Sequence, residues 1–491
     1  MNTHDQNIAF VPLGEVARSV KGKKPAVLKE KCVDGMVPYI DIEAFEDGVF
    51  KRYTDPIKTV LCDEGDVLMV WDGARAGLVG RGKPGALGST LAKIDVPHVQ
   101  KTYLFYFLES LYPIINSRAK GVGIPHVNPE LLWSSIFPVV PKRQQQRVVT
   151  KIEELLTELE AGVKELEAAQ VQLKLYRDSV LAAACSGKLV ATEAEQARAE
   201  GRSYETGALL LERTLKERRQ KWNGRGMYRE PHAPQTVSLP ELPEGWLWSN
   251  VEQLADGSPH ALKAGPFGSA LKKDSYVYKG YKIYGQEQVI RGDANFGSYF
   301  VDKQKYQELI SCAVKPGDIL ISLVGTIGKV LILPDNACQG IINPRLIKIS
   351  LERKVCNPAY LKQYLESSSS RQFLLSQSHG QTMDVLNLKI IRNLPVPLPP
   401  PREQDRIVLE VERRLSAVDE IAGVLASNLQ RSEHLRQSIL QQAFAGRLVE
   451  QDASDEPAIA LLERINVARV GIAPERKVTS KTNVRATTNR K

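Results

Sequence analysis

Several features that would assign this chain to a common class of protein are missing from it. No apolar run approaches the roughly 20 residues of a membrane-spanning helix, and the first residues lack the basic and apolar stretches of a secretory signal. Six cysteines are scattered singly, without a C-x-x-C pair or a histidine at ligand spacing. This pattern argues against a disulfide framework and a zinc site, and the seven histidines form no evident catalytic triad. We therefore expect a cytoplasmic protein with buried thiols and no bound metal.

The net positive charge of the chain lies mostly in its last residues. The 491 residues carry a net charge of +9, and six of these charges lie between Arg476 and Lys491, where there are no acidic residues. We expect this tail to be disordered, adding nonspecific phosphate contacts or solubility. Because the body is only mildly basic, any DNA-binding interpretation must rest on architecture.

The chain contains two copies of one sequence unit. RQQQRVV at 143–149 matches REQDRIV at 402–408, an offset of 259 residues, and the same offset aligns SGKLV at 186–190 with AGRLV at 445–449. Upstream, YLFYFLES matches YLKQYLES and EGDVLM matches PGDILI; downstream, LLER recurs. The matches keep their order while loop lengths change, so we infer an internal duplication.

Each copy has a front part and a back part. The front part mixes short β-type runs such as GDVLMVW with Gly-rich turns and a helix at YLxxxLES, which is typical of an α/β domain. The back part follows a proline-rich stop and predicts a long helix whose apolar residues step by four and three. This narrow stripe favours coiled-coil pairing over an amphipathic helix on a core, which has a wider apolar face. The stripes comprise Ile152, Leu156, Leu159, Val163, Leu166, Gln170 and Leu173, and Val411, Leu415, Val418, Ala422, Leu425 and Leu429.

Two long helices in one chain can pair antiparallel with each other. A helix of about 45 residues is about 65 Å long, and the pair would separate two α/β domains by a fixed spacing. Such an arrangement suits a DNA site read as two separated half-sites. Because the two front domains have diverged, the half-sites should differ.

This order of parts resembles the specificity subunit of type I restriction-modification systems. The resemblance rests on an α/β domain, a proline-rich stop with RQQQRVV or REQDRIV, a heptad helix ending in SGKL or AGRL, and LLER, all repeated once. It implies an α+β fold of two α/β target-recognition domains alternating with two helices paired as an antiparallel coiled coil under pseudo-two-fold symmetry. The implied boundaries are 1–141 and 246–400 for the recognition domains, 142–190 and 401–449 for the helices, 191–245 for a linker with a short helix, 450–475 for a C-terminal helix and 476–491 for the tail.

The resemblance also implies partners. The helices would dock two methylase subunits that methylate adenine N6 with S-adenosylmethionine, and motor-nuclease subunits would cut unmethylated DNA with ATP and Mg²⁺. The chain itself would hold no cofactor and no catalytic residue. The alternative is a single-chain adenine methylase or nuclease with degenerate motifs, which would bind S-adenosylmethionine alone. A coiled-coil spacer protein is a third hypothesis, but a spacer needs no pair of diverged domains.

Two motifs imitate catalytic ones. Asn357-Pro-Ala-Tyr360 is close to the N-P-P-[FY] motif of adenine methylases. We interpret it instead as a helix cap followed by proline, with Tyr360 in the packing position that Tyr103 occupies in copy one. Gly77-x4-Gly82-Lys83 nearly matches a phosphate-binding loop, but proline follows the lysine where Ser or Thr would ligate magnesium. A tight turn, repeated at 325–329, is the better interpretation.

Base-contacting residues are predicted in the loops after the GD[VI]L strands and in one further group of copy two. Arg and Gln suit bidentate contacts to guanine and adenine, whereas Lys more often binds phosphate. For each residue, a solvated surface position is the alternative. The candidates are Asp72, Arg75, Arg81 and Lys83 in copy one, and Thr326, Lys329, Lys272, Lys273, Gln286, Gln288 and Arg291 in copy two.

Overall fold

The computed structural model describes residues 7–120, 123–222, 227–237, 239–323, 329–377 and 387–470. The strands of copy one are β1 (Ala9–Pro12), β2 (Arg18–Lys21), β3 (Val37–Ile40), β4 (Tyr53–Thr54), β5 (Leu61–Cys62), β6 (Val67–Val70), β7 (Val79–Arg81), β8 (Gly85–Leu87), β9 (Leu91–Asp95) and β10 (Ile136–Val139). Its helices are α1 (Leu13–Val16), α2 (Ile42–Asp47), α3 (Lys101–Ser117), α4 (Pro129–Ser134), α5 (Lys142–Cys185), α6 (Glu193–Glu200) and α7 (Gly207–Gln220).

Copy two follows the same plan. Its strands are β11 (Leu247–Asn250), β12 (Leu262–Ala264), β13 (Tyr281–Tyr284), β14 (Phe300–Val301), β15 (Ala313–Val314), β16 (Ile319–Ser322), β17 (Val330–Ile332), β18 (Gly340–Ile342), β19 (Leu346–Ile349) and β20 (Pro395–Leu398). Its helices are α8 (Val251–Leu254), α9 (Gln286–Arg291), α10 (Lys303–Glu308), α11 (Pro358–Leu365), α12 (Ser368–Gln377), α13 (Leu388–Arg392), α14 (Pro401–Phe444) and α15 (Ala458–Val470). The predicted helices at YLxxxLES and the strands at GD[VI]L are thereby confirmed.

The sheets repeat strand for strand. Copy one has an antiparallel sheet β2-β9-β6-β7, a mixed sheet β4-β3-β8-β5 and the pair β1-β10; copy two has β12-β19-β16-β17, β14-β13-β18-β15 and β11-β20. Among the described strands, each copy has one parallel pairing: β3 with β8 in copy one, and β13 with β18 in copy two. Helices α2 and α9 follow β3 and β13, and both end at a glycine with left-handed φ, Gly48 at 73° and Gly292 at 70°. The predicted duplication is therefore present in the fold.

The chain forms two compact units that exchange helices. Unit 1 contains Met1–Glu167 and Ala426–Lys491, and unit 2 contains Ala168–Leu425. The hydrophobic core of unit 1 joins the first α/β domain to the first half of α5, the second half of α14 and α15. The core of unit 2 joins the second α/β domain to the second half of α5, the first half of α14 and α7. Each LLER helix thus packs on the α/β domain of the other sequence copy.

The two long helices pair antiparallel within each unit. Each is 44 residues long and ends five residues before the end of the helical region that the resemblance implies. In unit 2, Arg177 of α5 pairs with Asp419 of α14 at 2.8 Å; in unit 1, Arg436 of α14 lies 3.5 Å from Glu160 of α5. The predicted pairing is confirmed. The stripe is least buried in its middle, where Gln170 and Ala422 are exposed.

The glutamine shared by RQQQRVV and REQDRIV fastens each long helix to its α/β domain. Gln145 and Gln404 are almost fully buried. Gln145 Oε1 accepts a hydrogen bond from the backbone N–H of Gln100 at 2.7 Å, and Gln404 Oε1 accepts one from Asn357 at 2.8 Å. Each amide also donates to a carbonyl of the proline-rich stop. Because Gln100 and Asn357 are the N-caps of α3 and α11, this glutamine is a structural residue.

Copy one has Gln144 where copy two has Glu403, and the two side chains have different partners. The Glu403 carboxylate is fully buried and accepts hydrogen bonds from Trp246 Nε1 and from the backbone N–H of Glu193, each at 2.9 Å. Burial raises the pKa of Glu403, while these donors and Arg406 oppose the rise. Gln144 instead donates to the carbonyl of Glu450, which follows α14, at 3.4 Å, and accepts a hydrogen bond from Arg147 at 3.0 Å. The substitution thus changes how the chain after the opposite helix is held.

Candidate DNA-recognition surface

A Gly-Asp turn precedes β6 in unit 1 and β16 in unit 2, the strands that lead into the candidate loops. Gly65 and Gly317 have φ of 81° and 80°, a conformation that favours glycine. The aspartate that follows is buried in both units and accepts a hydrogen bond from the backbone N–H three residues earlier, at 3.0 Å for Asp66 and 2.9 Å for Asp318. The turn is therefore a rigid base from which each strand enters its sheet.

The two aspartates are held by different groups. Burial alone would raise the pKa of Asp66, but Lys101 and Lys93, each 2.6 Å from the carboxylate, lower it to about 2. Asp318 is held by the Ser350 hydroxyl at 2.6 Å, and burial raises its pKa. The same turn is thus stabilised by ion pairs in unit 1 and by neutral donors in unit 2.

In unit 1, the loop after β6 carries Asp72 and Arg75. Asp72 pairs with Lys21, the last residue of β2, at 2.7 Å. Arg75 pairs with Glu46 of α2, and its side chain is 60% exposed. The Lys21–Asp72 pair is open to solvent and contributes only about 0–1 kcal/mol to stability, so Asp72 can exchange its partner for a polar ligand at little cost. The Glu46 side chain is only 17% exposed, so Arg75 combines an exposed guanidinium with a largely covered partner.

Arg81 and Lys83 lie at the next turn and differ in availability. Arg81 ends β7, is exposed and lies 4.9 Å from the centre of the Phe105 ring on α3. Lys83 points into the unit, where its ammonium donates to the carbonyl of Ala44 in α2 at 2.9 Å. That bond helps to satisfy a carbonyl near the end of a helix and removes Lys83 from phosphate binding. The near match to a phosphate-binding loop is therefore a turn in copy one.

In unit 2, the structure brings Gln286 together with an arginine that the sequence analysis did not select. Gln286 Nε2 donates to the Ser322 hydroxyl at 2.7 Å, and Arg345 donates to Gln286 Oε1 at 3.4 Å. Gln286 follows β13, Ser322 is the last residue of β16 and Arg345 follows β18. The three residues therefore meet at one edge of the fold. Arg345 is exposed. Its position in N-P-R after a β-type run was the signal that could have identified it.

The remaining candidates of unit 2 are scattered. Gln288 is 1% exposed, and its amide bonds Gly285 N–H and the Phe296 carbonyl, so it holds the start of α9. Arg291 is exposed and lies 4.0 Å from the centre of the Phe296 ring. Lys329 is exposed at the start of β17, and Thr326 lies outside the described residues.

Lys272 and Lys273 are exposed in the segment that follows β12. The corresponding segment after β2 contains Lys23 and Lys24, also exposed, which the sequence analysis missed. The two segments start alike, because Gly22 donates its N–H to the Leu91 carbonyl and Gly265 donates to Leu346, both at 2.9 Å. Each unit therefore presents a lysine-bearing loop after an equivalent edge strand.

The methylase-like motif is a helix start, as the cap interpretation predicts. Asn357 Oδ1 accepts a hydrogen bond from the N–H of Ala359 at 2.9 Å, and its amide donates to Asp405 at 2.9 Å. Tyr360 and Tyr103 are each 1% exposed and donate to a prolyl carbonyl of β20 or β10. Both tyrosines are packing residues, and neither is available to stack on a base.

Two further observations concern metals and membranes. Among the described residues, no group of three or more His, Cys, Asp or Glu side chains could hold a metal ion. No helix in the described ranges is long and apolar enough to cross a membrane. All six cysteines are free; four of them are buried, whereas Cys32 and Cys338 are exposed.

Comparison with known proteins identifies the family. The family model described as "Type I restriction modification DNA specificity domain" matches residues 6–168 and 267–422, one match in each sequence copy. The chain belongs to this family. As a type I specificity subunit it is the non-catalytic subunit that recognises the DNA site within the restriction-modification complex.

Relatives match over most of their length. The chain is 22% identical to the type I restriction enzyme MjaVIII specificity subunit of Methanocaldococcus jannaschii, covering 89% of this chain and 92% of that one. It is 25% identical to the EcoBI specificity subunit of Escherichia coli, over 82% of this chain and 80% of that one. A solved structure from work on complex assembly of a type I R-M system has a TM-score of 0.60 at 19% identity, covering 90% and 98% of the two chains. That likeness supports the fold.

Proposed function

We propose that each unit of this specificity subunit binds one half of a bipartite, asymmetric DNA site. The observation that carries the proposal is that two α/β domains share strand order and direction but differ at equivalent loop positions. Val70 at the end of β6 and Ser322 at the end of β16 occupy equivalent positions, because each pairs with the first residue of the neighbouring strand, β9 or β19. Thr90, just before β9, is therefore equivalent to Arg345, just before β19. A common scaffold with different polar groups reads different bases, because specificity depends on base-edge contacts.

The proposed contacts follow from exposure and from existing partners. Asp72, Arg75 and Arg81 in unit 1 and Gln286 and Arg345 in unit 2 present polar atoms at loop or strand ends. Arg291, Lys329 and Thr326 remain candidates in unit 2, and the lysine-bearing loops after β2 and β12 suit phosphate contacts. Gln288 and Lys83 are omitted, because their polar atoms already hold helices α9 and α2.

The partners are proposed from the family. Two methylase subunits with S-adenosylmethionine would dock on the paired helices and methylate adenine N6, one at each half-site. Motor-nuclease subunits with ATP and Mg²⁺ would cut DNA that lacks the methyl groups. The isolated chain should neither methylate nor cut DNA, and activity should appear when methylase partners are added. Methylation by the purified chain alone would favour the single-chain methylase hypothesis instead.

Arg345→Ala tests base reading in unit 2. Losing a bidentate contact to guanine costs about 1–3 kcal/mol and should relax preference at one position of one half-site. Arg219→Ala is the matched control, since Arg219 is an exposed arginine of unit 2 outside the proposed surface. Binding of the methylase complex to a library of duplexes would measure both. An equal loss on all sequences with a shallower salt dependence would instead assign Arg345 to phosphate.

A further inference from the structure

Unit 2 contains a cavity away from the candidate base-reading loops. Its volume is about 710 Å³, within the range of small-molecule sites, which is about 300–1,000 Å³. One wall is α7, a second is the loop at 255–262, and a third is formed by Tyr228–Pro231. Arg218 of α7 fastens the first wall to the second by donating to the carbonyls of Gln253, at 3.1 Å, and Ala255.

The cavity has more cations than its carboxylates neutralise. Arg229 and Lys354 line it, are exposed, and form no ion pair within the described residues. Among the described residues, the carboxylates that pair with Lys221 and Arg392 lie at 3.6 Å from Lys221 and 3.9 Å from Arg392. The carboxylate of Asp256, which lines the cavity, pairs at 2.6 Å with the ammonium of Lys315, which does not line it. The surplus favours an anion, and guanidinium groups match the geometry of phosphate.

Aromatic groups stand beside these cations. Trp222 and Tyr228 line the cavity with ring centres 5.7 Å apart, and Trp222 remains 42% exposed. The Tyr228 hydroxyl is buried near Arg218, and among the described residues it makes no hydrogen bond of good geometry. A buried hydroxyl without a well-formed hydrogen bond costs free energy, which an occupant with a polar group would recover. An exposed indole near arginine suits a flat, uncharged ring.

The walls are specific to copy two. In unit 1, β2 starts at Arg18, directly after Ala17, which is the C-cap of α1. In unit 2, the equivalent C-cap is Ala255, and five extra residues, 256–260, follow it before Ala261 and the first residue of β12. In unit 1, Arg18 itself reaches α15 and donates to the carbonyl of Ala468. The extra residues of unit 2 line the cavity on the side opposite α7.

We propose that this cavity binds a nucleotide, with its phosphate on Arg229 and Lys354 and its base against Trp222. The occupant is either a free nucleotide or one nucleotide of a DNA strand, since both present the same phosphate and ring. The site is independent of the proposed base-reading loops. It would give unit 2 a phosphate contact that unit 1 lacks.

The test uses the full chain with its methylase partners and two probes, ATP and a twelve-residue oligothymidylate. Arg229→Gln with Lys354→Gln should lower affinity for the bound probe at least about tenfold, because two charge-assisted hydrogen bonds are lost. Lys216→Gln with Arg219→Gln is the control: it makes the same charge change on exposed α7 positions outside the cavity lining. Tyr228→Phe removes one hydroxyl and should weaken binding severalfold without lowering thermal stability.

Binding of ATP that depends on the cavity would assign a free nucleotide, and cavity-dependent binding of oligothymidylate alone would assign a DNA strand. Absence of binding by both probes, or an equal loss in the control variant, would overturn the proposal. Site preference in the methylation assay reports the base-reading loops separately, so the two proposals can fail independently.

Discussion

Neutralising the aspartates of the two GD turns should destabilise the two units to different extents. Asp66 and Asp318 occupy equivalent positions, yet Asp66 is held by two lysines and Asp318 by a hydroxyl and a backbone N–H. Asp66→Asn leaves two ammonium groups without their carboxylate. Asp318→Asn removes a carboxylate whose burial already disfavours its charge and keeps one acceptor oxygen. We therefore expect Asp66→Asn to be clearly the more destabilising variant.

The magnitude follows from the pKa of Asp66. The difference between an ordinary aspartate pKa of about 3.9 and the value of about 2 in the folded protein corresponds to about 2.5 kcal/mol. The lysine partners are 31% and 48% exposed, so solvent screening should reduce this free energy to about 1.5 kcal/mol. For a unit of this size, the loss corresponds to a fall in Tm of about 3–6 °C, and we expect about 2 °C or less for Asp318→Asn.

The pH dependence has a definite sign. Because the folded pKa of Asp66 is depressed, its stabilisation is complete above the unfolded value of about 3.9 and is lost as the pH falls towards about 2. The deficit of Asp66→Asn should therefore be constant between pH 7 and 5 and should narrow below about pH 4. Calorimetry gives Tm, and hydrogen exchange of peptides from β6 and β16 assigns the loss to a unit. Equal shifts in both variants, or a deficit that changes between pH 7 and 5, would refute the reasoning.

Two further predictions concern the helices. Asn357→Ala should cost about 1 kcal/mol as a lost cap and leave methylation by the full complex intact, as Tm and a methylation assay would measure; loss of all methylation in a folded, assembled variant would contradict the cap interpretation. Four residues inserted into each long helix, after Glu167 in α5 and after Leu425 in α14, lengthen the pair by about 6 Å and should lengthen the spacer by one or two base pairs of about 3.4 Å each. A seven-residue insertion should work less well, because about three base pairs turn DNA by roughly 100° while the helix barely rotates. Methylome sequencing would identify the spacer, and an unchanged spacer in an active variant would contradict a spacing role for the helices.

The duplication and the long helices could be predicted because they rest on local, repeated patterns. Apolar residues at heptad spacing form a helix stripe whatever surrounds them, and a constant offset between motifs needs no knowledge of the fold. The exchange of helices between units could not be predicted. It depends on which surface Leu210 and Leu461 of the LLER segments cover, and the repeat alone is compatible with packing on either copy.

The availability of the candidate side chains could not be predicted from the sequence, because it depends on tertiary contacts. Gln288 and Lys83 have suitable side chains, but a buried cap and a helix carbonyl already use their polar atoms. Arg345 was missed because it meets Gln286 only when strands distant in sequence end at one edge of the fold. Composition and loop position therefore select candidate loops, whereas tertiary contacts decide which of their side chains are available.

The most direct test of the central claim exchanges one recognition domain. Residues 247–398, from the start of β11 to the end of β20, would be replaced by the equivalent domain of a relative, leaving Trp246 and the long helices in place. Methylome sequencing of cells that carry the chimera with its methylase should show one altered half-site and one unchanged half-site. A change in both half-sites, or in neither, would contradict separate reading by the two units.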